Sequence, residues 1–441
     1  MPPLRRTRRS RREPAALSRG DLLPRLRVPP PGPRASQLAA DLGAFEAPGV
    51  NTARGAPAWR EARGANVLDV DGNRYVDLTS GFGVALVGHR HPAIVAAVRR
   101  QAGRLLHGLG DVAAHPARVA LAAALVARAP LADAAVYFAA SGADAVEVAL
   151  KTALLATRRA GVLAFDGGYH GLTLGALAAG GRDAFRAPFA AHIHPHVRHL
   201  PYGAPAAALE RALADGAVGC VVVEPVQGRA GVVLPPVGWL AELAALARRH
   251  GALLVVDEIL TGGGRIGPFF ASLDAGIEPD LVCCGKALAG GLPFAAVLGR
   301  RELLAAWPAN GEALHTATFL AHPLACAAAL ATLRVLGSPD FTARAAALGA
   351  AIATSVEVLS ALPGVRAVRG RGLLWGVELD QDGGAVAWAR RALGAGILAL
   401  PSGARGEVLE LLPPAVLTTR QLAVALDGLR RTAPAAQALR R

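Results

Sequence analysis

The sequence holds 47 basic residues, of which 45 are arginine and only two, Lys151 and Lys286, are lysine. Arginine stays protonated and cannot become an amine nucleophile; lysine can lose its proton and attack a carbonyl. The chain is also rich in alanine, and Met1 is its single methionine. This composition has the look of GC-rich coding, in which arginine serves wherever a plain positive charge suffices. A lysine that persists in such a background is a candidate for Schiff-base chemistry, which arginine cannot do. Two carboxylates share the setting of Lys286. The apolar run 220–223 leads to Glu224, the run 253–256 to Asp257, and the run 281–284 to Gly285-Lys286. Either carboxylate alone would read as a helix cap. Three ionisable residues at neighbouring strand ends are instead expected to converge, because open α/β sheets bind ligands at that edge.

Such convergence needs a sheet. From about Pro92, Ala/Leu/Arg-rich helices alternate with short apolar runs at 135–138, 161–165, the three runs above and 295–298. That alternation predicts an α/β domain with a mainly parallel sheet. Upstream, Asp71-Gly72-Asn73 predicts a turn between short strands. After Gly337 come a long helix, VRGRGLLWGVEL, another helix and EVLELLPP, the pattern of an α+β unit. Ser141-Gly142-Ala143 opens a helix with Asp144 and Glu147 in its first turns. A small-residue turn at a helix N-terminus offers N–H groups and a favourable dipole to a phosphate.

The chain is 441 residues long, 53% hydrophobic and 18% charged, which excludes a wholly disordered protein. A mean hydropathy of +0.35 raises the question of a membrane. The longest stretch without a charged residue, 313–333, contains His315, His322, Pro323 and three threonines. It predicts a loop and then a buried Ala-rich helix, not a spanning helix. The net charge of +14 is unevenly spread: residues 1–35 hold ten arginines against Glu13 and Asp21, leaving +6 for the rest. Residues 1–36, rich in Arg and Pro, are expected to form a basic disordered tail. Ten arginines can contact several phosphates, but the tail has no aromatic residue on which bases could stack. A nucleic-acid partner is therefore not expected. Cys220, Cys283, Cys284 and Cys326 lack metal-type spacing and are expected to be buried thiols of a cytoplasmic protein, with no bound metal.

VVDEILTGGGRIG around Asp257, followed by Lys286 in CGKALAGGLP, resembles the class III pyridoxal-phosphate (PLP) aminotransferases of fold type I. Further blocks of the resemblance appear in the family's order: TSGFGV, GHRHP, SGADAVEVALK, GGYHGLTLGAL, VEPVQG, HTATFLAHPLACAAALATL, RGRGLLWGVEL and LLPP. The ornithine, acetylornithine, 4-aminobutyrate and putrescine enzymes are the most similar, and FRAPF and HTATF lean toward the diamine-type members.

The resemblance implies a large domain over residues 96–336 with a seven-stranded, mainly parallel sheet flanked by helices. It implies a smaller α+β domain from residues 37–95 and 337–441. Lys286 would form the internal aldimine and then shuttle a proton. Asp257 would pair with the pyridine nitrogen, Ile259 pack under the ring, and Tyr169 stack on it beside His170. Ser141, Gly142 and Ala143 would hold the phosphate, although Ala143 replaces a residue that often carries a hydroxyl. Glu224 would lie near the phenolic edge. Thr318 would reach the phosphate of a neighbouring subunit, which implies a homodimer with shared active sites. Lys151 has a counterpart in the family and is read as structural. The implied reaction moves an amino group, with a terminal primary amine as donor, to a 2-oxo acid by a ping-pong route. Aminomutase, racemase or decarboxylase chemistry on the same cofactor is the alternative.

The sequence departs from the family at one charged pair. Many members place a glutamate after VEPxQG and an arginine two residues before LPP; here the positions hold Arg229 and Glu410. A salt bridge between them is compatible with the exchange. Arg229 is then the expected carboxylate-binding cation, and Glu410 a candidate for a distal ammonium. Leu260 also replaces a common glutamine.

Overall fold

The computed structural model describes residues 17–49, 55–309 and 311–434. Three short strands come first: β1 (Trp59–Arg63), β2 (Asn66–Asp69) and β3 (Arg74–Asp77). Seven follow: β4 (Ala134–Ala139), β5 (Gly161–Phe165), β6 (Val197–Leu200), β7 (Val218–Val223), β8 (Leu253–Asp257), β9 (Leu281–Gly285) and β10 (Ala295–Arg300). The last five are β11 (Val365–Arg371), β12 (Leu374–Leu379), β13 (Ile397–Leu398), β14 (Leu400–Ser402) and β15 (Val408–Leu411).

The middle seven form one sheet in the order β4-β10-β9-β8-β7-β5-β6. Neighbours from β9 to β6 run parallel, while β10 is antiparallel to both β4 and β9. The sheet is thus mostly parallel with one reversed strand, and β4 points the same way as β9. Strands β7, β8 and β9 are buried at every residue, which is why they read as continuous apolar runs rather than alternations. Alternate residues nevertheless serve opposite faces. Val222 and Val255 pack with Val146, Val148 and Ala149 of the helix Gly142–Thr157, and Val221 and Val256 with Trp239, Leu243 and Leu246 of the helix Trp239–Arg249. Each buried valine or leucine contributes about 1.5–3 kcal/mol of transfer free energy. The edge strand β6, with sequence VRHL, is only half-buried and has no apolar run, so the sequence pattern misses it.

The Ala-rich helix Pro323–Leu336 is largely buried, as its sequence predicts, and packs on the helix Pro92–Ala102. The helix Pro339–Val356 and the short turn after it are apolar enough by length and composition to cross a membrane. It instead lays Phe341, Leu348, Ile352 and Val356 on the core against β11 and the helix Thr419–Arg431. Segments far apart in sequence meet: β13 pairs in parallel with β3, completing a sheet ordered β1-β2-β3-β13. The remaining sheet, β11-β12-β15-β14, is antiparallel.

The expected disordered tail needs correction over its second half. Residues 1–16 lie outside the described residues, but residues 17–36 run along β2 and β3 in fixed pairing. Asn66 exchanges two 2.8 Å hydrogen bonds with the backbone of Leu22. Asn73 accepts the N–H groups of Arg27 and Val28, and Asp71 accepts those of Arg34 and Ala35. Composition alone predicts disorder there; side-chain acceptors some forty residues away supply the order.

Candidate active site

Five strand ends deliver side chains to one cleft of about 550 Å³. The turn after β4 brings Ser141, Gly142 and Ala143, and the loop after β5 brings Tyr169 and His170. β7 leads to Glu224 and Arg229, β8 ends in Asp257 followed by Ile259 and Leu260, and β9 leads to Lys286. The expected convergence is therefore present. Close packing holds the parts together: a Cβ on Gly142 would stand 3.2 Å from Ile259 Cγ2. Gly171, at φ +122°, leaves no room for a side chain, since its Cβ would meet that of Ala143 at 2.4 Å.

Asp257 is buried, and each of its oxygens has one partner. Its Oδ1 accepts the Ile259 N–H at 3.0 Å, and its Oδ2 lies 2.8 Å from His170 Nδ1. An ionised carboxylate only accepts, so His170 donates there. Burial opposes charge on His170, but the hydrogen bond and charge of Asp257, helped by Glu224, outweigh it and hold the imidazole above its ordinary pKa. Glu224 accepts the Tyr169 N–H at 2.9 Å, and burial pushes its carboxyl up to about 7 against the pull of His170.

The side chain of Lys286 is half-buried, and desolvation drives its amine below its usual pKa, with Asp257, Glu224 and Glu410 offsetting part of the effect. Its backbone sits at φ +40°, a region that costs a non-glycine residue energy and recurs at functional sites. A lysine with a depressed pKa offers the neutral amine that nucleophilic and base chemistry need.

Glu410, on β15, is 2% exposed, and its Oε2 has no hydrogen-bond partner. Burial pushes its carboxyl up to about 7, while Arg229, Lys286 and Arg265 pull it down. Arg229 lines the cleft, half-buried, with a single 3.5 Å contact to the Pro401 carbonyl. The salt bridge compatible with the exchanged charges is not formed. Glu410 lies against Gly228, whose Cβ would stand 3.9 Å from Oε1, while Arg229 turns toward the strand carrying Pro401. The two residues act on one another through space only.

At the other end of the cleft, Ser141 Oγ caps the helix Gly142–Thr157 by accepting the Asp144 N–H at 3.2 Å. The first-turn N–H groups of a helix have no intrahelical acceptor, and the dipole there favours an anion. A desolvated amine, a pinned carboxylate and an anion-accepting helix start suit the aldehyde, the ring nitrogen and the phosphate of PLP. Thr318 is not brought to this cleft: it is exposed, and its carbonyl lies against Gly110. Sequence reasoning missed the apolar wall of Val84, Leu172, Leu292 and Phe294. Phe294 directly follows the CGKALAGGLP block, and its position there was the available signal.

The sheet order, with one lysine at the carboxyl edge of the central strands, defines a fold-type I PLP transferase. The class-III aminotransferase family matches residues 51–433, and the chain belongs to that family. The acetylornithine aminotransferase of Mycolicibacterium smegmatis is 41% identical over 370 residues, 83% of this chain and 90% of that protein. The ornithine aminotransferase of Toxoplasma gondii superposes with a TM-score of 0.82 at 30% identity, covering 90% of this chain and 93% of that one. An amine transaminase from an uncultivated Pseudomonas species, solved with PLP bound, gives a TM-score of 0.79 at 28% identity, covering 88% and 96%. The protein is a PLP-dependent aminotransferase.

Proposed function

We propose that this aminotransferase takes the terminal primary amine of an ornithine-type donor, free or N-acetylated, and passes the nitrogen to a 2-oxo acid. The observation that carries this reading is the desolvated amine of Lys286 beside the pinned carboxylate of Asp257. The donor class is supported by the names of the relatives. Bound PLP supplies an electrophilic aldehyde and a ring that stabilises negative charge at the reacting carbon.

The chain's own residues do the rest. Ser141, Gly142 and Ala143 hold the phosphate at the helix start. Asp257, fixed by Ile259 and His170, would keep the ring nitrogen protonated. Tyr169 and Ile259, which line the cleft, would pack on the ring, and Glu224 would lie near its phenolic edge. Lys286, with its desolvated amine, would hold the cofactor and would serve as the base that moves the proton of the reacting carbon. Arg229 is the cation free to take a substrate carboxylate, and Glu410 the buried carboxylate available to a second ammonium.

A cytoplasmic homodimer is part of the proposal. Leu106, Leu109 and Val112 are exposed beside Phe319, whose ring lies 5.7 Å from that of His107. An apolar surface of this kind suits a second copy of the chain, and Thr318, exposed within it, would in such a dimer reach toward the partner's cofactor phosphate.

A donor panel on the purified holoenzyme tests the reading, scored by conversion of the cofactor from its aldehyde to its amine form. Conversion by ornithine or N-acetylornithine supports it; conversion by α-amines alone overturns it.

A further inference from the structure

Lys151, the second lysine, is exposed on the helix Gly142–Thr157 and takes no part in the cleft. Its Nζ lies 2.9 Å from Nδ1 of His315, whose Nε2 lies 2.8 Å from Oδ1 of Asp144. An ammonium only donates and an ionised carboxylate only accepts. In that arrangement Nε2–H of the imidazole donates to Asp144 while Nδ1 accepts from Lys151. The other oxygen of Asp144 accepts the Ala140 N–H at 2.8 Å, and the Asp144 N–H reaches Ser141 Oγ. The His315 carbonyl accepts the Tyr137 hydroxyl at 2.5 Å. Each of these partners of His315 belongs to β4 or to the helix that forms the anion end of the cleft. Three residues further on stands Thr318.

We propose that Lys151, His315 and Asp144 form a clamp that positions the loop 313–320, and with it Thr318, for the partner subunit's cofactor phosphate. The helix that holds one phosphate thereby aims the loop that completes the other site. The proposal rests on the dimer with shared sites described above. It also accounts for the second lysine of a chain in which 45 of 47 basic residues are arginine. A compact ammonium can address one ring nitrogen, whereas the planar guanidinium fork is built for paired acceptors. These are positioning residues; none of them touches the reacting atoms.

The test uses full-length holoenzyme. Lys151→Met and His315→Ala are each expected to bind PLP about tenfold more weakly, the order of one lost charge-assisted hydrogen bond, while remaining dimeric by sedimentation. Lys151→Arg is expected to restore only part of the loss. Differently tagged His315→Ala and Lys286→Ala chains are then co-expressed and the hybrid dimer isolated. Its one site with Lys286 lies on the His315→Ala chain and receives its loop from the chain whose clamp is intact. Wild-type cofactor affinity at that site, read by the visible absorbance of the bound cofactor, is the expected result. An affinity as weak as that of the His315→Ala homodimer places the effect within the subunit and overturns the proposal, as does unchanged affinity in the single variants. If His315→Ala does not fold, Lys151→Met, at an exposed position, takes its place in the hybrid. A monomeric wild-type holoenzyme overturns the dimer reading itself, a result distinct from a dimer in which the hybrid fails.

Discussion

Desolvation sets the chemistry of Lys286, and the neighbouring carboxylates limit how far its pKa falls. Lys286→Arg keeps the charge but loses the nucleophile and base. Single-turnover rates with an amine donor are expected to fall by at least about 10³-fold, within the range that general acid–base catalysis supplies. Arg229 and Glu410 influence one another electrostatically without pairing. If both serve one substrate, the double variant Arg229→Glu/Glu410→Arg recovers activity relative to the product of the single effects, by a coupling of about 1 kcal/mol or more in kcat/KM. Strict additivity uncouples them. Glu410 also predicts a pH dependence. Its carboxyl is raised from the usual 4.5 to about 7, so the folded chain binds that proton more tightly than the unfolded chain does. The stability this contributes is complete below about pH 4.5 and lost as pH rises through about 7. Denaturant titrations of cofactor-free protein should show wild type losing more stability than Glu410→Gln between about pH 5 and 8, by on the order of 3 kcal/mol. Equal losses would show that Glu410 is not the titrating group. Lys286 and Asp257 were legible in the sequence because compositional bias and strand-end position single them out. The missing Arg229–Glu410 bridge was not, because it depends on how β14 and β15 pair beside a loop far away in sequence.

At the scale of elements, the anion end of the cleft depends on how closely the loop after β5 approaches the helix after β4. Gly171→Ala would press a methyl into Ala143 at a backbone angle that disfavours any side chain. PLP retention on gel filtration should drop while the far-UV spectrum stays unchanged; undiminished retention would mean the two segments can separate at no cost to the site. Six of the seven central strands were visible as apolar runs: the inner strands because burial on both faces needs no alternation, and β4, an edge strand, because its own residues are apolar. β6 was invisible for the opposite reason: at an edge, with half-buried arginine and histidine, its pairing with β5 replaces the pattern. The ordered arm at residues 17–36 was hidden likewise. Its order comes from Asn66, Asp71 and Asn73, and nothing in its own residues announces them.

For the molecule as a whole, the apolar surface around Phe319 and Leu109 predicts self-association. Phe319→Asp, at a site already 65% exposed in the single chain, should leave the fold intact and move the protein toward monomer in sedimentation. Activity should fall with dilution; a variant as dimeric as wild type would place the interface elsewhere. The pairing of Val76 with Ile397 bears on how the molecule is made. A ribosome releases β3 long before β13, so the N-terminal strands must wait with an open edge while nearly the whole chain is synthesised. The central sheet, all of whose strands lie between them, can form first. Closure of the N-terminal sheet must wait for β13, and a chain cut short before residue 397 leaves a strand edge free to recruit other chains.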